Sequence, residues 1–204
     1  MSSSKVAIIL VDPYNDFLHP EGKLTSFLKD LGERNAVQNM KDLVKAARSR
    51  NLPIYYGLHQ QWSDNSFNGW RHMTPGNVKQ KDIHFFEEGS FGARIYEGLE
   101  PDPNNGDVVV SKHWNSDSFA NTDLDYQLRQ RDITNLVLAG LTANTCLEAT
   151  ARHAFELGYQ VTILNDATAG WSNELTRAGE LVWPLFARVL TVKEWEDSLS
   201  PTDI

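Results

Sequence analysis

One thiol, one carboxylate after the first apolar run and one lysine after the third give this chain the groups needed for nucleophilic attack on a carbonyl. Cys146 is the only cysteine in the sequence. It closes the stretch Gly140-Leu141-Thr142-Ala143-Asn144-Thr145-Cys146, between an apolar run, Asn135 to Ala139, and a segment in which Leu147, Ala151, Ala154 and Phe155 recur at intervals of three and four. The run reads as a short buried strand and the recurrence as a helix ending near Gly158. The thiol then sits on the first turn of a helix that springs from the carboxyl end of a strand. Unpaired N–H groups and the helix dipole favour the thiolate there, so the position predicts a thiol pKa below the ordinary value. A lone cysteine is equally a small buried hydrophobe, and its reading depends on its neighbours.

The other two groups are Asp16, in the loop Asp12-Pro13-Tyr14-Asn15-Asp16-Phe17, and Lys112, which follows Asp107-Val108-Val109-Val110-Ser111. Together they suggest a division of labour. Lys112 stabilises the Cys146 thiolate by charge, while Asp16 acts as general base and then as general acid. Backbone N–H groups of the Gly140 to Cys146 turn hold the oxyanion of the tetrahedral intermediate. Taken singly, Asp16 also suits a turn carboxylate and Lys112 a solvated strand end.

Positioning these groups takes an alternation of strands and helices. Val6 to Val11 is apolar without a break, as suits a strand covered on both faces. A helical period runs from Glu33 to Arg50 through Val37, Met40, Leu43, Val44 and Ala47, and Ile54 to Leu58 reads as a second strand. Asp107 to Ser111 is the third strand, and a helix is expected over Thr122 to Arg131. The strand before Cys146 is the fourth, Gln160 to Asn165 the fifth and Arg188 to Val192 the sixth, with a helix from Asn173 before the last. From His59 to Gly106 the periodicity fails, and a connection of that length is usually functional or holds short elements of its own. Strand–helix alternation implies a parallel sheet, whose ligands bind beyond the carboxyl ends of the strands. Asp16, His59, Lys112, Cys146 and Asp166 follow the five strands in turn, so topology predicts that they converge.

Length and composition bound the rest. At 204 residues, with 41% hydrophobic and 23% charged, the chain is expected to form one α/β domain spanning 1–204. A net charge of −8 without a basic patch argues against nucleic acid and anionic membrane as partners. No window has the length of a membrane span, and a single cysteine cannot close an internal disulfide, so a cytoplasmic location is expected.

The Val11-Asp12-Pro13-Tyr14-Asn15-Asp16-Phe17 loop resembles the opening of the isochorismatase-like cysteine hydrolases. Lys112 with Ser118-Phe119 and Thr122-Asp123-Leu124, the Gly140 to Cys146 turn, and Asp166-Ala167 resemble the same family in the same order. The resemblance implies a six-stranded parallel sheet of Rossmann-like topology in a three-layer αβα fold. It also implies an Asp–Lys–Cys triad, carried onto Asp16, Lys112 and Cys146. A further implication is a non-proline cis peptide at Leu141-Thr142, with Thr142 and Cys146 N–H as oxyanion donors, and assembly into dimers or tetramers.

Nicotinamidases of that family hold a metal with Asp-x-His after the second strand. Gly57-Leu58-His59 lacks the Asp, and His59, His72 and His84 follow no metal-ligand spacing, so neither a metal nor another cofactor is expected. Phe17, His59, Trp62, Trp114 and Phe119 are the candidate walls of a pocket for a small-molecule substrate. Retention of the cysteine favours C–N bond cleavage in a small amide or ureido substrate through a thioester. The alternatives are an isochorismatase-type vinyl-ether hydrolase and a non-catalytic binding protein on the same scaffold. Nucleotide binding is disfavoured, since no glycine-rich phosphate loop follows the first strand.

Overall fold

The computed structural model describes residues 5–199. Its elements follow in the order β1 (Lys5–Val11), α1 (Asn15–Leu18), α2 (Ala36–Ser49), β2 (Ile54–Gly57), α3 (Pro75–Ile83), β3 (Val108–Val109), α4 (Leu124–Arg129), β4 (Ile133–Leu141), α5 (Glu148–Glu156), β5 (Gln160–Ala169), α6 (Asn173–Val182), β6 (Arg188–Leu190) and α7 (Val192–Ser198). The strands form one six-stranded sheet in the order β3-β2-β1-β4-β5-β6, and every neighbouring pair is parallel. Helices cover both faces, giving the three-layer α/β fold.

The unbroken apolar run of β1 explains the layering. Side chains alternate across a strand, so Ile8 and Leu10 join one core with Met40, Leu43 and Ala47 of α2. Ala7, Ile9 and Val11 join the other, with Leu147 and with Ala151 and Ala154 of α5. Each fully buried aliphatic side chain of this kind contributes about 1.5–3 kcal/mol, and a strand with two buried faces has no polar positions to spare. Gly140 lets β4 lie close to β1. It has φ +116, and a Cβ there would stand 2.1 Å from the Val11 carbonyl oxygen.

The sheet order reverses between β1 and β4, the place where such folds open a crevice at the carboxyl ends. β1 and β4 pair from Val6↔Asn135 to Val11↔Gly140, so whatever follows Val11 stands beside whatever follows β4.

Several elements differ from the sequence reading, three of them at β5, β6 and the stretch 59–106. β5 continues to Ala169, which leaves Asp166 inside the strand, its Oδ1 accepting from Val192 N at 2.9 Å. Burial raises that carboxyl, but Asp166 serves the junction with α7 and does not join the other strand-end groups. The sixth strand stops at Leu190, and Val192 opens α7, capped by reciprocal bonds between Thr191 and Glu194. Within the stretch 59–106 lies α3, capped by Thr74 and Asn77 in the same reciprocal way. Its two buried residues are Asn77 and Gln80, while Val78 and Ile83 face outward. An inverted helix of this kind gives no apolar period to read. Among the described residues no helix is long and apolar enough to cross a membrane.

Candidate active site

Asp12 is the first residue beyond β1. Its N–H donates to the Gly57 carbonyl at 2.9 Å, and its φ of 49 is left-handed, a region aspartate enters more readily than most residues. That turn directs the carboxylate inward, where it is fully buried. Oδ1 accepts from the His59 backbone N–H at 2.6 Å. Oδ2 accepts no hydrogen bond from the described residues.

His113 reaches the same place from the third strand. The chain beyond β3 still follows β2, with His59 and His113 forming an isolated parallel bridge and His113 N–H donating to Leu58 O at 2.9 Å. The imidazole is 1% exposed. Nδ1 lies 3.1 Å from the Asn115 carbonyl, so it carries the proton that this bond requires. Nε2 lies 3.2 Å from Asp12 Oδ1 but off the line of a hydrogen bond. The contact is therefore one of charge more than of alignment.

Cys146 arrives from β4 through a cis Leu141–Thr142 peptide and one wide π-helical turn, Ala143–Leu147, that runs directly into α5. Such turns recur at functional sites. Thr142 O accepts from the N–H groups of Thr145 and Leu147. The Thr145 hydroxyl lies 3.9 Å from Sγ, and Sγ lies 3.9 Å from Asn115 O. A carboxylate oxygen of Asp12, a ring nitrogen of His113 and the sulfur all lie within 4.8 Å of one another.

Burial is the largest single influence on the protonation of Cys146 and of His113. It pushes the Cys146 thiol well above its usual range, and the Asp12 charge pushes it further, against smaller opposing bonds from Thr145 and the Thr142 N–H. The expectation of a depressed thiol pKa is overturned: the turn does start a helix, but a buried sulfur beside a carboxylate loses more by ionising than the helix start returns. For His113, burial pulls the imidazole down, and the charge and contact of Asp12, the Asn115 carbonyl and the Asp117 charge together more than reverse it, leaving the pKa raised. For His59, burial outweighs the Asp12 charge and the neighbouring His113 charge adds to it, leaving the pKa lowered.

Two of the three expected catalytic groups stand elsewhere. Asp16 lies in α1, where Oδ1 accepts from Lys23 N at 3.0 Å and Oδ2 from Phe86 N at 2.6 Å. Gly92 packs so closely that a Cβ there would come 2.3 Å from Asp16 Oδ1. This carboxylate ties three loop segments together, because by Asp16 the chain has left the strand end and turned into a helix. Lys112 is half-buried, and its ammonium makes no ion pair or hydrogen bond with the described residues; its carbonyl accepts from Gln60. Neighbouring residues of an extended chain point to opposite faces, so with His113 turned inward the lysine is turned away.

A cavity of ≈ 370 Å³ adjoins the trio, walled by His59, Phe85, Trp114, Asn77, Asn115 and Ser116, with Thr74 and Gly76 completing it. His59 and Trp114, two of the expected wall residues, line it. The three other expected wall residues do not line it. Phe17 sits 5.1 Å from the Phe86 ring and 6.0 Å from Trp171, Trp62 stacks on His84 at 3.5 Å, and Phe119 lies in the core with Leu147. Asn77 and Asn115, missed in the sequence, come from the inverted helix and from a loop without period. A larger cavity, ≈ 520 Å³, opens at the opposite, amino edge of the sheet, by Val6, Asn135, Gln160 and Arg188.

Asp12, His113 and Cys146 are also donor types that transition metals accept. They come from three separate segments, so no ligand spacing along the chain reveals them.

A family description, the Isochorismatase domain, matches residues 6–194. A relative from Bacillus subtilis (strain 168), the uncharacterized isochorismatase family protein YddQ, is 31% identical over 163 residues, covering 80% of this chain and 77% of that protein. Among solved structures, a cysteine hydrolase from Pseudomonas syringae pv. phaseolicola 1448A superposes with a TM-score of 0.82 at 26% identity, over 97% of this chain and 93% of that one. N-carbamoylsarcosine amidase from Thermoplasma acidophilum superposes with a TM-score of 0.65 at 25% identity, over 92% and 96%. The chain belongs to the isochorismatase-like cysteine hydrolase family. It is a hydrolase.

Proposed function

We propose that this hydrolase cleaves a C–N bond of a small amide or ureido substrate through a thioester on Cys146, with Asp12 as the proton carrier and His113 as the buried cation. The observation that carries this reading is the meeting of the three polar atoms within 4.8 Å at the switch between β1 and β4. At rest the sulfur is a thiol, since burial and the Asp12 charge both favour it. Deprotonation is therefore coupled to attack: the thiol proton passes to Asp12 as the S–C bond forms and the carbonyl electrons move onto oxygen. N–H groups of the Thr142 to Cys146 turn stabilise the oxyanion. When the C–N bond breaks, Asp12 returns its proton to the leaving nitrogen. A water then attacks the thioester, giving one proton to Asp12, and the departing sulfur takes that proton back. The sum is substrate plus water to acid plus amine, with the enzyme unchanged.

His113 supplies positive charge beside Asp12 throughout. In the family pattern a lysine has this duty, and an imidazole performs it only while protonated, which the Asp12 charge promotes. The retained thiol favours acyl chemistry over vinyl-ether cleavage, which the carboxylate alone can promote. The name of the solved amidase relative leans the same way. The test is intact-protein mass spectrometry after mixing with amides, ureides and isochorismate. A transient acyl adduct that disappears in Cys146→Ala supports the thioester, and undiminished turnover by that variant ends it.

A further inference from the structure

The cavity beside the trio has an unusual lining. None of its eight walls is Asp, Glu, Lys or Arg, and the backbone N–H of one of them, His59, donates to the fully buried Asp12 carboxylate. Carboxylate-bearing substrates are ordinarily held by arginine or lysine forks, and an unpaired anion leaving water for such a cavity meets a large desolvation cost.

Two polar groups here are built for a neutral partner. Asn77 is 4% exposed. Its Oδ1 accepts from the Thr74 N–H at 3.0 Å and hydroxyl at 2.8 Å, which fixes the amide orientation. Its Nδ2 donates to no described residue, and Asn77 lines the cavity, so this amide N–H pair is free to serve a ligand there. His59 Nδ1 lies 2.8 Å from the Gln60 carbonyl and must carry a proton to bond it. Burial keeps the ring neutral, so Nε2 is left as an acceptor. A free amide donor and an imidazole acceptor, beside the rings of Phe85 and Trp114, match the C=O and N–H of an uncharged planar amide.

We infer that this cavity selects an uncharged, planar carboxamide or ureide and discriminates against substrates carrying a carboxylate, with Asn77 and His59 as the specificity residues. The inference rests on the amidohydrolase reading of the neighbouring trio but is tested apart from it. In the Cys146→Ala protein, which cannot turn over, binding of benzamide and benzoate is compared by calorimetry at pH 7.5. Benzamide is expected to bind at least about tenfold more tightly, the discrimination a polar site exerts against a mismatched group. Asn77→Asp should weaken benzamide, and Ser116→Arg, adding a cation to the wall, should bring benzoate to parity or beyond. Equal or tighter benzoate binding by the Cys146→Ala protein overturns the assignment, as does binding of neither probe at millimolar concentration. The thioester reading fails separately, if native protein never shows an acyl mass on Cys146.

Discussion

His113 Nε2 lies 3.2 Å from Asp12 Oδ1 with both side chains closed to solvent. A buried cation and anion in contact hold each other in the charged state, and losing either leaves the other stranded. The pair's raised imidazole pKa fixes the direction of its pH dependence. A group whose pKa is higher folded than unfolded stabilises the fold fully below the unfolded value, about 6.5 for histidine, and loses that contribution as pH climbs through the folded value. The urea midpoint of the native protein should therefore decline from neutral pH upward. In His113→Gln that decline should be absent between about pH 6.5 and pH 8.5, above which the buried Cys146 thiol adds a decline of its own. Parallel midpoint-against-pH curves for the two proteins would refute it.

The two carboxylates of the first loop should part company on mutation. Asp12→Asn removes the proton carrier, and turnover per folded molecule should fall by about 10²–10⁴-fold, the usual worth of a general acid–base group. Asp16→Asn instead sets an amide against two backbone N–H donors. It should cost about 1.5–3 kcal/mol of stability while much of the specific activity survives. Denaturation midpoints and initial rates on both variants check this; equal kinetic damage would restore Asp16 to the chemistry.

Alkylation reports the state of the sulfur. With its pKa raised by burial and then by Asp12, Cys146 should react with iodoacetamide more slowly than a free thiol at neutral pH, and its rate should still be rising above about pH 8.5, where an ordinary thiol is half ionised. Removing the negative charge in Asp12→Asn should move the curve to lower pH. A rate that has already levelled off below pH 7 would contradict the resting thiol.

Gly140→Ala addresses the seam between β1 and β4. The new methyl would meet the Val11 carbonyl, and φ +116 disfavours any side chain. Destabilisation should exceed about 1 kcal/mol, and the damage should extend to activity, because Asp12 follows Val11 directly. Chemical denaturation with a rate assay on the folded fraction measures both.

Much of the sheet was legible because its strands are buried on both faces: Val6 to Val11 and Leu136 to Ala139 announce themselves by unbroken apolarity. Cys146 was legible from its place between strand and helix. Asp12 was passed over for Asp16, although only Asp12 abuts the last strand residue; the choice between two carboxylates in one loop turns on a left-handed turn that composition does not reveal. Lys112 was preferred to His113 because three consecutive valines leave the parity of that edge strand unreadable, and one position of slip exchanges inward for outward. Asn77 was hidden for another reason, since a helix that buries amides looks like a loop. The protonation of Cys146 was misjudged because the helix start is visible in sequence and the depth of burial is not.

The pairing of Val11 with Gly140 carries a consequence for how the enzyme comes to life. During synthesis the acid emerges early and the sulfur late, and parallel partners so distant along the polymer join slowly. A nascent chain on the ribosome thus holds its acid for most of elongation without a nucleophile to serve. The proposed trio can assemble only when the central ladder zips shut, so a half-made molecule lacks the site.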